Sequence, residues 1–449
     1  MINNWERFLP SFLRVYFEKY SRLKIIVENI GWNFIAKAVI TVFNVIVGAL
    51  VTRYLGPANI GIINYVTSFI ALFSILANLG IDQVIIYEIK NNPENTYKVL
   101  GTSFFIRLFS GSITFIIIAI VSYLTTSPNE SIILTLTIIY SLGLVVSAPS
   151  VISLYFEAQL LGKYNAQLGL LTNIISNIIS IILIILKAKL IFFGLAALLS
   201  TVITITILTV FYTAKKNEIK RWEYDKEIAK KLLKPALPLI ISSIIFTMWM
   251  KVDIIMIKYF LDNAAVGIYS IATHINDFWI FIPAIINSAF FPILVEKRKE
   301  NIEKYYLYLR KLSELLLLIA IIVGIGAVLF GKIVINFLYG KSFVGSYYVL
   351  IIIIWTGIIR CLAIAGFDWV LIEGLVKNNM YRDILGFISN FILNWFFIPI
   401  WGIKGAALAS LISLCFAFLA GIFSKKLRLQ VTKISIPSFT FRELFKKID

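Results

Sequence analysis

Histidine is almost absent from this sequence, with His274 alone among 449 residues. Cysteine is nearly as scarce, and Cys361 and Cys415 each sit inside an apolar run. Imidazole-based metal chemistry is therefore close to excluded, and two separated thiols make neither a zinc site nor a disulfide framework. Charge is short as well: 15% of residues are charged, against about 25% in an average soluble domain. Acids are the scarcer sign, 24 Asp and Glu against 42 Lys and Arg. The chain also lacks a phosphate-cradling glycine loop, paired catalytic carboxylates and a nucleophile with its base. No enzyme, ATPase domain, metal or cofactor is expected.

What fills the space is apolar. Hydrophobic residues make up 59% of the chain, and the mean hydropathy is +0.89. A water-soluble fold cannot hide that much apolar surface, whereas lipid accepts it. Runs long enough to cross a bilayer, about 20 residues each, fall near 30–51, 60–80, 100–122, 132–154, 166–186 and 191–212. A second set lies near 237–257, 265–291, 312–335, 346–371, 384–400 and 403–423. The runs are too long for membrane strands and do not alternate. The expected fold is an all-α integral membrane protein of about twelve transmembrane helices.

A net charge of +18 would point to nucleic acid in a soluble protein. Here the cations cluster in alternate connections, which marks topology instead. They gather before the first span, between 213 and 234, after the eighth span from Lys297 to Lys311, and beyond Lys425. An even number of spans between these clusters puts all four on one side, so both termini are expected in the cytoplasm of a multi-pass plasma- or inner-membrane protein. Residues 1–28 lack a signal-peptide core. Trp5, Phe8, Phe12, Tyr16 and neighbouring cations fit either an amphipathic lead-in at the cytoplasmic surface or a short packed segment broken at Pro10.

The charged connection divides the chain into a lobe at 29–212, a linker at 213–234, a second lobe at 235–424 and a basic cytoplasmic tail at 425–449. The halves echo each other. Arg53-Tyr54-Leu55-Gly56 with Gly61 and Tyr65 is matched by Lys258-Tyr259-Phe260-Leu261 with Gly267 and Tyr269. Ile175-Ser176-Asn177 and Gly194-Leu195-Ala196-Ala197 are matched by Ile388-Ser389-Asn390 and Gly405-Ala406-Ala407-Leu408. Repeats of six spans are parallel, and a cavity between two such lobes is a transporter's architecture.

An ionisable side chain at mid-bilayer costs about 2.5–3.5 kcal/mol, so each should face a cavity or a partner. Lys37, Arg107, Lys251 and Arg360 are the candidate cavity cations, and Asp253, His274, Asp277 and Asp368 the candidate coupling or pairing groups. Lys251 with Asp277, and Arg360 with Asp368, could equally be interhelical ties. Lys37 and Arg107 have no mid-span acid in their own half, which favours a cavity for both. His274 reads as a packing histidine or a proton relay. On helical spacing, Asn33, Lys37, Thr41 and Asn44 share a face, as do Asn173, Ser176, Asn177 and Ser180; such faces can line water. Small residues at Gly402, Ala406 and Ser410 form a helix-packing seam.

Particular residues carry a resemblance. Thr52-Arg53-Tyr54-Leu55-Gly56-Pro57, Gly61, Tyr65 and Leu79-Gly80-Ile81-Asp82 resemble the Wzx-type polysaccharide flippases. Those belong to the transporter group that also contains lipid II flippases and MATE exporters. Leu237-Pro238, Asp253, Val266-Gly267-Ile268-Tyr269, Leu393-Asn394, Ile398-Pro399 and Gly402-Ile403-Lys404-Gly405-Ala406-Ala407 extend the likeness over roughly residues 28–425. The resemblance implies two six-helix lobes in a MATE-like V, with alternating access. It implies as cargo an anionic oligosaccharide on a polyprenyl or dolichyl (pyro)phosphate, carried from the cytoplasmic to the outer leaflet, with H+ or Na+ as possible coupling ions. Arg53 matches a motif position at a span end, where it can anchor the interface. A monomer among membrane lipids is expected. The rival readings are a cation-coupled multidrug exporter, disfavoured by the lack of a mid-span acid in the first half, and a membrane enzyme of the same pathway, disfavoured by short loops.

Overall fold

The computed structural model describes residues 21–215, 218–424 and 427–443, with side chains placed from Phe43 onward except at 236–239, 242 and 376–379. Among these residues the chain is helical, without strands. Ten helical runs are long and apolar enough to cross a membrane. The first merges two expected spans across a kink, and the 35-residue helix Lys226–Phe260 stands outside the ten, which accounts for the expected twelve.

The elements are α1 (Ser21–Asn78), α2 (Asp82–Asn91), α3 (Thr96–Thr125), α4 (Ser131–Val146), α5 (Val151–Ala158), α6 (Gly162–Ile185) and α7 (Leu190–Ala214). They continue with α8 (Lys226–Phe260), α9 (Asn263–Phe278), α10 (Phe281–Glu300), α11 (Ile302–Tyr339), α12 (Gly345–Ile353), α13 (Thr356–Ile372), α14 (Val376–Trp401) and α15 (Ile403–Ala420). α1 is two helices joined at Gly56, whose φ of 75° only glycine adopts without strain. Pro57 then opens the second limb, where its missing N–H is not needed.

Three expected spans are broken. The fourth passes from α4 to α5 through a turn at Ala148–Ser150 containing Pro149. The eighth breaks between α9 and α10, and the tenth between α12 and α13. Tryptophans sit at the last two breaks and use glycines as sockets. A Cβ on Gly357 would lie 2.3 Å from the Trp279 ring, and one on Gly324 2.8 Å from Trp355.

The lobes meet at the end where Gly56 lies. A Cβ on Gly61 would fall 1.7 Å from the Asn263 carbonyl oxygen, and one on Gly267 2.1 Å from that of Pro57. The second limb of α1 and α9 therefore cross backbone to backbone, as small-residue helix contacts in lipid do. Around this crossing Lys258 is ion-paired with Glu130, and Leu55 and Ile60 join the buried core of the C-terminal lobe.

At the opposite end the connection between lobes is a strap rather than a free linker. Trp222 lies among Phe104 and Tyr212, and the Glu223 backbone crosses directly over Gly101. The Asp225 N–H donates to Thr102 Oγ1 at 2.9 Å. The Asp225 carboxylate caps α8 by accepting from the N–H groups of Ile228 and Glu227, and these bonds hold it below the usual carboxylate range. The expected linker is helical from Lys226 onward, and Ile228, Leu232 and Leu233 pack into the N-terminal lobe.

Part of the basic tail packs onto the C-terminal lobe. Residues 427–438 form helical turns in which Leu427, Val431 and Ile434 are buried. Arg310 Nε donates to the Lys433 carbonyl at 2.7 Å. The lead-in at 1–28 lies outside the described residues up to residue 20.

Alanine at Gly61 or Gly267 has no room unless the helices separate. Either substitution is expected to lower stability by about 3 kcal/mol, the upper part of the usual overpacking range. A thermal melt of the purified protein checks this, and a melting point equal to wild type would contradict the backbone crossing.

Candidate functional site

A cavity of about 660 Å³ runs inside the C-terminal lobe and reaches the second limb of α1. α1 contributes only neutral polar groups, Asn64, Thr67 and Ser68. The charged lining comes from the other lobe: Lys251 and Asp253 on α8, His274 and Asp277 on α9, Arg360 on α13, and Arg382 and Asp383 on α14. Phe246, Trp249, Met250 and Phe367 supply apolar wall. Three cations thus face three carboxylates, and what each is bonded to decides what remains for a ligand.

Arg360 Nη1 donates to Asp277 Oδ1 at 2.5 Å. The expected partner Asp368 is elsewhere, accepting from Asn287 Nδ2 at 3.0 Å. Arg382 is buried and donates to the carbonyls of Phe418 and Ala417 and to Gln430 Oε1. Those carbonyls are among the last four of α15, which have no partner within the helix. Arg382 is thus a cap that also grips the tail. Lys251 has no ion pair among the described residues, and with Asp277 it flanks His274 closely enough for both charges to act on that ring.

Asp253 is buried with neutral donors only. It accepts from Tyr269 OH at 2.6 Å, from Asn394 Nδ2 at 2.6 Å and from Ser410 Oγ. Asn394 donates further to Asn390 Oδ1 at 2.7 Å. Among the described residues no cation pairs with this carboxylate. Sequence reasoning passed over the cluster, although Asn390 and Asn394 stand four apart on one helix face and each lies in a motif singled out for other reasons.

The N-terminal lobe corrects two expectations. Arg107 is buried away from the cavity, with Nη2 2.5 Å from Asp82 Oδ1 and Nη1 2.7 Å from Ser150 Oγ. Asp82 is not a mid-span residue. Leu79 and Gly80, both at positive φ, turn the chain back so that the first residue of α2 reaches Arg107. The polar face of α6 does not line the cavity. Asn44 donates to Asn173 Oδ1 at 3.0 Å and accepts from Asn177 Nδ2 at 2.6 Å, a tie between α1 and α6. The Lys37 side chain lies outside those described. Arg53 packs against the turn at Gly340, near the crossing of the lobes.

With the geometry in place, comparison with known proteins adds a lineage. The model of the polysaccharide biosynthesis protein family matches residues 26–298. The chain belongs to this family. Its relatives include the capsular polysaccharide biosynthesis protein CapF of Staphylococcus aureus, 22% identical over 394 residues, covering 86% of this chain and 96% of that one. The fold is that of lipid II flippase MurJ in an inward closed conformation, with a TM-score of 0.68 at 15% identity over 93% of this chain and 94% of that one. An inward-facing MATE family multidrug resistance transporter of the MOP superfamily gives 0.65 at 17% identity over 87% and 95%. This member of the family is therefore a polytopic membrane protein with the fold of known transporters and flippases.

The Arg107–Asp82 pair reads as a structural tie. Asp82→Asn should cost about 3 kcal/mol, because it strands a buried guanidinium, whereas a double change to Asp82→Asn with Arg107→Met should recover most of that loss. Melting of the two variants distinguishes a tie from a ligand contact, which the double variant would not repair.

Proposed function

We propose that the chain moves a lipid-linked oligosaccharide between leaflets, with the (pyro)phosphate drawn to Lys251. The observation that carries this reading is a lysine on the wall of a cavity in a polysaccharide biosynthesis protein, free of any ion pair among the described residues. An unpaired ammonium inside a membrane protein is costly unless water or an anion meets it. A phosphate meets it with charge-assisted bonds. The amide of Asn64, the hydroxyl of Thr67 and the ring of Trp249 suit the hydroxyls and apolar faces of sugars. Arg360 would join when cargo competes with Asp277, and Lys37 is retained as a candidate contact from the other lobe.

On this reading the Gly56 end is outermost, because the cation-rich connections and tail lie at the other end. The cavity is then shut toward the outside by the glycine crossing and the Lys258–Glu130 pair. Opening there requires both to part, as alternating access demands. Asp253 is the proposed coupling group: a carboxylate with neutral donors can take up H+ or Na+ without breaking an ion pair. The same carboxylate favours a second reading, a cation-coupled drug exporter, since a cationic drug could pair with it.

Reconstituted protein is expected to translocate a fluorescent polyprenyl-pyrophosphate oligosaccharide, and Lys251→Gln to slow this about tenfold or more, the loss of one charge-assisted bond. Equal rates in Lys251→Gln and wild type would refute the phosphate contact. Transport of cationic dyes with none of the lipid-linked sugar would establish the second reading.

A further inference from the structure

Asp368 is used neither by the cargo site nor by an ion pair. It is 4% exposed, on α13, and its only hydrogen-bond partner among the described residues is Asn287 of α10. Asn287 Nδ2 donates to Asp368 Oδ1. The remaining oxygens of the two side chains, Asp368 Oδ2 and Asn287 Oδ1, are both buried and both without a donor among the described residues. Two orphaned acceptors on a matched acid and amide have a simple remedy. A carboxylic acid carries an O–H on its second oxygen, and a primary amide presents its donor and acceptor side by side. One proton on Oδ2 would donate to Asn287 Oδ1, close a ring of two parallel hydrogen bonds, and remove a buried charge.

We infer that Asp368 and Asn287 form a proton-binding site, in which an acid–amide ring clamps α10 to α13 when Asp368 is protonated. Asn287 lines the cavity, so the proton reaches the site from cavity water. The charged and titratable neighbours leave Asp368 no cation. On α11 Tyr305 faces it. Arg298 at the end of α10 is held by Glu373 at the end of α13, with Nε 2.8 Å from Oε1. On α14 Arg382 is committed to carbonyls and Gln430, with Asp383 beside it. On α13 itself Arg360 is held by Asp277. Farther along α11, Lys311 and Glu314 are buried, and Glu314 accepts from the Glu443 N–H of the tail. A divalent cation would need more oxygens than this pair offers, whereas a proton needs only the two that are orphaned.

The pair is one rung of a ladder. Asn276 donates to Thr356, Arg360 pairs with Asp277, Asn287 donates to Asp368, and Arg298 pairs with Glu373, all joining the two broken spans α9–α10 and α12–α13. Loss of the proton sets two acceptors against each other in the middle of this ladder. Release would therefore loosen the contact that holds Asp277 against Arg360. The inference does not depend on the identity of the cargo.

The test is infrared difference spectroscopy on the full protein in lipid at neutral pH, without cargo. A protonated carboxyl has a carbonyl stretch that shifts in heavy water. That band is expected in wild type, lost in Asp368→Asn and kept in Asp253→Asn. In Asn287→Ala it should move to higher frequency, as a carboxyl without its partner does. Asp368→Asn preserves both hydrogen bonds, so it should fold. Absence of the band from the wild-type minus Asp368→Asn difference, as a bridging ion or water on a charged carboxylate would give, overturns the proposal. A band unmoved in Asn287→Ala overturns the ring.

Discussion

A charged side chain placed where water is scarce must find a partner or a polar passage, and most of the internal architecture follows from how each one does so. Arg107 takes Asp82, Arg360 takes Asp277, and Lys258 takes Glu130 across the two lobes. Arg382 uses no acid at all and turns to the open end of a helix. Two buried carboxylates do without a cation: Asp253 accepts from two hydroxyls and an amide, and Asp368 from a single amide. Among the described residues Lys251 is the cation of the cavity wall with neither an ion pair nor a hydrogen bond, which is why the functional reading converges on it.

These solutions also distribute rigidity. The N-terminal lobe is fastened by Arg107–Asp82, by the Asn44–Asn173–Asn177 tie and by the strap over Gly101. α8 begins packed in that lobe and ends against the other, with the Trp249 ring on Gly386. It therefore carries any relative motion of the lobes through its own length. The polar ladder between the broken spans lies inside the C-terminal lobe, where the cavity is, so adjustment around a ligand is concentrated there.

The number and order of spans were legible in the sequence, because hydropathy over about 20 residues integrates many side chains and tolerates local error. The breaks at Trp279 and Trp355 were not, since hydropathy averaged over a whole span does not register a local pause in the helix. Candidate charges were found for the same reason that they are costly. Their partners were harder to read. Arg107 looked free because its acid lies past a tight turn outside the apolar run, and only the positive φ at Leu79 and Gly80 brings the two together. Asp368 lies on the same helix as Arg360 and Asp277 lies on α9, 83 residues away, and the sequence alone does not choose between them. The Asp253 cluster draws on α8, α9, α14 and α15, a convergence visible only after folding.

The crossing of α1 and α9 has a symmetry worth following. Gly61 touches Asn263 while Gly267 touches Pro57, and the intervals are equal, 267 − 61 = 206 and 263 − 57 = 206. Each half thus offers its partner the same surface it receives, as the subunits of a twofold dimer do. One patch is thereby used twice, so a bulkier residue at either glycine pushes on the same pair of backbones from opposite sides.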